Sequence, residues 1–449
     1  MRRPPLVLVT VVTVLVALTG VLNVRSHPHN VQPGTSGPVP GAQSSALYCT
    51  GLTNARNGLR GEVVYINTTD QVRHVVVHAV ATGATSAVAT AFTLPAYGRQ
   101  PVTPTNLVVG ATYALSAQID GGGVVADQVV TASGASAPCT SAGLTNWYGS
   151  GFDSTVGSSA VLSIYNPTAT AAVFNVTTFS KTGFLSPAAL QGVSVGAHAE
   201  LTLNLGDEVV ATQNFGAQVS VLRGSLVVVE DQIERHGASI NPGSTQVATS
   251  GVFPLVSTAD KVLAQLRVAN PGPAQATVTF EVKLKGFTIA PQATVVAPYH
   301  STVVTITPNT AIPAAGEALV RMSSTQAVDV TLGTGVVQGL HLSPLASALQ
   351  RPVLADVTGR GFAQATLTNV GRATSIATWS LIRQGRVVST GSTQVTAGAS
   401  VSLGQLLGGR DHLRGATLVI SGTSATWSVS ATLETSPAGQ ILAPALNGG

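Results

Sequence analysis

The sequence predicts an all-β chain: tandem immunoglobulin-like β-sandwiches after one N-terminal transmembrane or signal helix. Three observations carry that reading. A self-similar block recurs about every 100 residues, apolar positions within it alternate with period two, and the run from Leu6 to Val24 holds no charge.

Composition narrows the function classes. Only 9% of the 449 residues are charged, 4% are aromatic and four are lysine, against roughly 25% charged residues in an ordinary soluble domain. This argues against a nucleic-acid partner, a coiled coil and a charge-rich disordered chain. The formal net charge of +4 is largely an N-terminal effect. Setting aside Arg2, Arg3 and Arg25 leaves 19 basic residues against 18 acidic ones, so the body is nearly neutral and no polyanion is implied.

Residues 1–24 are a signal peptide or membrane anchor. At 1.5 Å rise per residue the apolar run spans most of a bilayer's hydrocarbon, and Arg2 and Arg3 before it leave the N-terminus inside and export the rest. No clear Ala-x-Ala site follows, which favours an uncleaved anchor on the plasma membrane over a secreted chain. Residues 25–46 are rich in Pro, Gly and Ser and read as a flexible linker, with His27 and His29 as solvated linker residues. Cys49 and Cys139 are the two cysteines, at the start and end of the first folded segment. In an exported chain they predict a disulfide between the first and last strands of one domain.

Four units follow: sandwich 1 over 47–139, sandwich 2 over 140–248, sandwich 3 over 249–353, and sandwich 4 with a C-terminal tail over 354–449. The turn markers Asn67, Asn166, Asn270 and Asn369 are spaced 99, 104 and 99 residues apart, and each is followed 16 or 17 residues later by a glycine: Gly83, Gly183, Gly286 and Gly385. Asn-Pro-Thr at 166–168 and Asn-Pro-Gly at 270–272 start turns. The next run alternates. Ala276, Val278, Phe280, Val282 and Leu284 form one face, and Thr277, Thr279, Glu281, Lys283 and Lys285 form the other, a half-buried strand with one wet face. About seven such runs per unit, split by Gly, Pro, Asn and Ser, indicate short antiparallel strands. The second unit carries a net charge of −4 and the fourth +3, so the two are electrostatically complementary, or their loops are simply solvated.

No residue cluster names a reaction. His74 and His78 share one strand face without a third ligand. Glu230, Asp231 and Glu234 fit no calcium loop. No nucleophile elbow, zinc-binding helix or Ser-x-x-Lys occurs, and a carboxylate pair formed across distant strands is the remaining enzymatic option. No catalytic, cofactor or metal residues are therefore assigned. Trp379 and Trp427 fall at core positions. Trp147 with Tyr148, in TNWYGSGFD, is the one aromatic pair in a turn-like context, and hence either an exposed contact or a seam residue between units one and two.

The layout of one N-terminal apolar segment, repeated sandwiches and Asn-Pro markers, with Arg favoured over Lys, resembles a family of actinobacterial envelope proteins of unknown function, membrane-anchored or secreted. The resemblance implies an extracytoplasmic location and a part in envelope assembly, with no catalytic residues to carry over. The expectation is a non-catalytic envelope scaffold or adaptor binding a protein or glycan partner. A glycan-binding accessory protein is the alternative, and an enzyme with a cross-strand carboxylate site comes third.

Overall fold

The structure is a computed structural model. It describes residues 44–447 apart from 54–60, 131–135, 235–236, 259–261, 285–286, 288, 307–311, 315–316, 337–338, 345–351, 357–361, 410–412, 423–426, 434–441 and 444–445. The expected N-terminal helix and His27 and His29 lie outside the described residues. The first unit contains β1 (Ser44–Thr53), β2 (Gly61–Asn67), β3 (Arg73–Ala81), β4 (Val88–Leu94), β5 (Arg99–Val102), β6 (Thr112–Asp120), β7 (Val124–Val130) and β8 (Ser136–Pro138). They form two antiparallel sheets, in the orders β1-β6-β3-β4 and β5-β2-β7-β8. The core between the sheets includes Val63, Tyr65, Val75, Val77, Tyr113 and Leu115, all buried.

The other units repeat this order. In the second, Asn146–Phe152, Phe215–Arg223, Ala172–Ser180 and Gly183–Leu185 make one sheet. Glu200–Asn204, Ser159–Tyr165, Val227–Glu234 and Gly237–Asn241 make the other. In the third, the 20-residue strand Glu317–Val336 supplies both the sixth and the seventh positions. Its first half pairs with Ala248–Ser257 and Ala276–Lys283, its second half with Leu263–Asn270 and Gly339–Pro344. The fourth runs Pro352–Ala355, Thr417–Gly422, Ser375–Arg383, Arg386–Val395 against Ser400–Ser402, Phe362–Asn369, Trp427–Leu433, Leu442–Ala443. The chain is thus all-β and built of tandem antiparallel sandwiches. The central pairs, second with fifth and third with sixth, follow the immunoglobulin scheme. The first strand, however, sits beside the sixth and the seventh beside the second, so the edge strands have exchanged sheets.

The marker asparagines are buried brackets. All four are 0% exposed at the end of the second strand of their unit. In the second unit Asn166 Nδ2 donates to the carbonyls of Thr170 (2.8 Å), Val195 (3.1 Å) and Gly196 (2.8 Å), and Oδ1 accepts from the amide of Thr168 (3.0 Å). Asn67, Asn270 and Asn369 make the corresponding bonds to Gln71 and Leu94, Ala274 and Val296, and Ala373 and Val395. The side chain therefore closes its own turn and ties it to the end of a strand in the opposite sheet. Three of the glycines that follow hold positive φ (Gly83 77°, Gly183 119°, Gly385 74°), as the reversal requires, and Gly286 lies outside the described residues.

Cys49 and Cys139 are disulfide-bonded, with Cα atoms 4.8 Å apart. The bond ties β1 to the residue following β8, across the two sheets, beside a bridge between Tyr48 and Thr140. Replacing both cysteines with serine is expected to lower the unfolding free energy by about 2–5 kcal/mol, read as a lower urea midpoint than that of the oxidised parent. An unchanged midpoint would mean that the first unit does not depend on the bridge.

Alternation holds for the strand Ala276–Lys283, where Ala276, Val278, Phe280 and Val282 are buried and Glu281 and Lys283 exposed. It fails for β7, every residue of which is buried, and nearly so for β2. Such strands are covered on both faces, because the units pack sheet on sheet. Val64, Ile66, Val125 and Val129 of the first unit bury themselves against Val353, Ala355, Ile382 and Val419 of the fourth. Tyr165 and Val227 of the second pack on Val80 and Ala114 of the first. Arg267, Asp329 and Thr331 of the third lie on Ser150 of the second, whose hydroxyl bonds to all three residues. Arg321 of the third donates to the Gly398 carbonyl of the fourth at 2.7 Å. In each case the sheet holding the second and seventh strands of one unit meets the sheet holding the first and sixth of the unit before it, and unit one meets unit four. The contacts close into a cycle.

Candidate functional site

The seams of this cycle are built from residues at repeat-equivalent positions. The corner before the fifth strand holds one residue in the left-handed region in every unit: Tyr97 (φ 54°), His198 (52°), Tyr299 (61°) and Gly398 (64°). Their spacing is 101, 101 and 99 residues, close to that of the markers. Each corner reaches the preceding unit. Tyr97 packs on the cluster shared with unit four. His198 faces unit one across a cleft. The Tyr299 ring lies 5.4 Å from that of Phe184 in unit two. At Gly398 the Arg321 guanidinium fills the place of a Cβ, which explains a glycine where the other units carry a side chain. The next positions bond the same neighbours. Arg99 donates to the Asp356 carbonyl (2.8 Å) and to Thr417 Oγ1 (3.2 Å), Glu200 Oε1 accepts from Thr50 Oγ1 (3.2 Å), and Ser301 Oγ donates to the Asn214 carbonyl (3.0 Å).

Most buried acids of the second and third units lie in these seams. Glu230 and Asp231 are neighbours in sequence but point to different units. Glu230 faces the third, accepting from Asn241 Nδ2 at 2.8 Å with Arg267 and Asp329 nearby. Asp231 faces the first, against Gly51, and accepts from Ser163 Oγ at 2.6 Å. Burial raises both carboxyls to about 8, against the hydrogen bonds from Asn241 and Ser163. Glu200 is also raised to about 8 by burial, opposed by bonds from Thr50, Thr82 and Gly51. Asp329 and Asp127 are pushed up by burial as well. A threonine triad, Thr82, Thr112 and Thr202, adds hydroxyl contacts of 2.5–3.0 Å between units one and two.

An open cleft of about 640 Å³ lies between the first and second units. Its floor is the outer face of β1, β6 and β3. The register places Tyr48, Ser116 and His78 in one row across those strands and Ala46 beside Gln118 in the next. Tyr165, from the second unit, lies with its ring 6.1 Å from that of Tyr48 and hydrogen-bonds to Ser116. The loop 84–87 and the corner 196–199, with His198, form the walls. Burial raises both tyrosine hydroxyls, which stay protonated and able to donate. No carboxylate, ammonium or guanidinium lines the cleft among the described residues.

The residues singled out by sequence are distributed otherwise. Trp147 is not an exposed contact: it is 0% exposed, donates from Nε1 to the Pro242 carbonyl at 2.8 Å and packs on Phe152. The segment that reads as a turn is the strand Asn146–Phe152, and Gly149 and Gly243 leave room for the indole. Tyr148 is half-buried, with its hydroxyl accepting from Gln218 Nε2 at 3.3 Å, and lies near Asp329, on the side of unit three rather than unit one. Of His74 and His78, His74 is exposed and only His78 belongs to the cleft. No group of three His, Cys, Asp or Glu is arranged for a metal among the described residues. Sequence reasoning missed Tyr48, Tyr165 and His198; the regular spacing of the corner residues was the signal that marks His198 as a seam position.

The chain belongs to a family of unknown function, DUF5719, whose model matches residues 122–405. No curated protein matches it. Among solved structures, a tetra-tandem repeat from the extending region of a large adhesion protein is 14% identical, with 90% of this chain and 98% of that one covered and a TM-score of 0.11. A structure of infectious bursal disease virus, Gx strain, is 12% identical, with 88% and 82% covered and the same TM-score of 0.11. The disulfide points to an oxidising environment. No helix among the described residues is long and apolar enough to cross a membrane.

Proposed function

We propose that this DUF5719 chain is a non-catalytic, extracytoplasmic scaffold or adaptor of an actinobacterial cell envelope, held to the membrane by its N-terminal helix and binding a protein or glycan partner. The closed cycle of seams is the observation that carries this reading. Glu200, Glu230, Asp231 and Asp329 sit inside those seams, hydrogen-bonded and with their carboxyls pushed up by burial. The open cleft, in contrast, is lined by hydroxyls, an amide, imidazoles and small apolar residues. Acids placed this way join units together and do not flank a substrate. The hydroxyl, amide and imidazole groups lining the cleft favour glycan as the partner class. The reading is tested by in-cell cross-linking of the full chain followed by capture from the native membrane. Reproducible recovery of one envelope protein or glycan is expected. Recovery of the chain alone, or of a soluble cytoplasmic protein, would contradict it.

A further inference from the structure

We infer that the cleft between the first and second units is a binding site for a neutral oligosaccharide. The inference deepens the adaptor reading and rests on it for the absence of turnover.

Size and form come first. A cleft of about 640 Å³ lies within the 300–1,000 Å³ range of ligand sites. It is open to solvent, so a ligand longer than the cleft can extend out of it. The polar groups come from two units that are hydrogen-bonded to each other alongside it, by the Thr82, Thr112 and Thr202 triad and by Glu200 on Thr50. The site is therefore assembled before the ligand arrives, and little ordering cost falls on binding.

Chemistry selects the ligand. A sugar ring has apolar C–H faces and a polar rim of hydroxyls, each both donor and acceptor. Tyr48, half-buried on the floor, offers apolar ring surface with a hydroxyl at its edge, and the buried Tyr165 ring 6.1 Å behind it holds it in place. Ser116 sits in the row between Tyr48 and His78, and Gln118, one row away, presents an amide with both donors and an acceptor. His198 closes the opposite wall. Hydroxyl, amide and imidazole groups can each meet a sugar hydroxyl in either role. A phosphorylated, sulfated or uronic ligand needs a cation to meet its charge, and an amine needs a carboxylate. Among the described residues the lining holds no guanidinium, ammonium or carboxylate.

His198 allows a test that does not endanger the fold. It holds φ 52°, a conformation glycine adopts without strain, so His198→Gly removes the imidazole and preserves the corner. The oxidised full chain is titrated with neutral, anionic and cationic oligosaccharides by calorimetry. Binding is expected for a neutral member, with affinity lowered about tenfold in His198→Gly and again in Gln118→Ala. Phe184→Ala, an exposed ring at the other seam, should leave it unchanged. The inference is overturned if no neutral oligosaccharide binds the folded chain, or if both cleft variants bind as the parent does. Release of shorter sugars from the bound oligosaccharide would instead overturn the non-catalytic reading while leaving the cleft assignment in place.

Discussion

Asn166→Asp is expected to destabilise the second unit at least as much as Asn166→Ala, and Asn166→Ala by about 3 kcal/mol. Alanine removes the side chain that bonds the carbonyls of Thr170, Val195 and Gly196 and the Thr168 amide inside a 0%-exposed site. Aspartate is nearly isosteric and keeps the acceptor for Thr168. It replaces the amide that faces three carbonyl oxygens, at 2.8, 3.1 and 2.8 Å, with a second acceptor. That group must either stay protonated and satisfy one carbonyl or ionise against all three. Urea unfolding followed by tryptophan emission reads the effect, since Trp147 belongs to the same core. A midpoint for Asn166→Asp equal to that of the parent would show that the bracket is dispensable. The same change at Asn67, Asn270 or Asn369 should act independently, because the four sites share no bond.

The second large effect is on pH. Glu200, Glu230 and Asp231 have ordinary values of 4.5, 4.5 and 3.8 and sit near 8 in the folded chain. Between those limits the folded state holds protons that the unfolded state has lost. Their contribution to stability is complete at and below about pH 4, declines as pH rises toward 8, and is gone beyond it. Each group changes the unfolding free energy by up to about 1.4 kcal/mol per pH unit in that window, and all three act in the same direction. Thermal unfolding should show a higher Tm at pH 5 than at pH 9, the reverse of a protein held by ionised carboxylates. Replacing Glu200 with Gln and Asp231 with Asn should flatten the slope. A Tm that is level or rises from pH 5 to 9 would mean that these seams open to water.

Much of the fold was legible in the residues. The period-two face of Ala276, Val278, Phe280 and Val282 and the recurrence of Asn67, Asn166, Asn270 and Asn369 suffice for tandem antiparallel sandwiches, because both reflect local geometry. The seams were not legible in the same way. The runs VVADQVV at 124–130 and VVVEDQI at 227–233 lack alternation, the mark of a strand buried on both faces. What covers the second face belongs to another unit, about 100 residues or more away in sequence. Nothing local distinguishes the two faces of Glu230 and Asp231. The pair reads as an acidic cluster, although pleating sends one to unit three and the other to unit one. Trp147 misled for the opposite reason: Gly149, Gly151 and Asn146 suggest a turn, while Gly149 makes room for the indole and Gly151 for Leu342 and Glu230 in a strand. The cleft depends on both effects. Tyr48 and Tyr165 lie on strands of different units and meet because the cycle brings the two sheets together.

The closure of that cycle, unit one upon unit four, is the central claim, and Tyr97 gives direct access to it. The ring packs on the cluster of Val353, Ala355, Ile382 and Val419, and the neighbouring Ala96 carbonyl lies against Gly385. Tyr97 is replaced by benzoylphenylalanine in the full chain, and the dilute monomer is irradiated and its cross-linked peptides mapped. The account predicts intramolecular links from position 97 to the fourth unit, near Val353, Ile382 or Val419. Links confined to the first unit, or joining two chains, would contradict it.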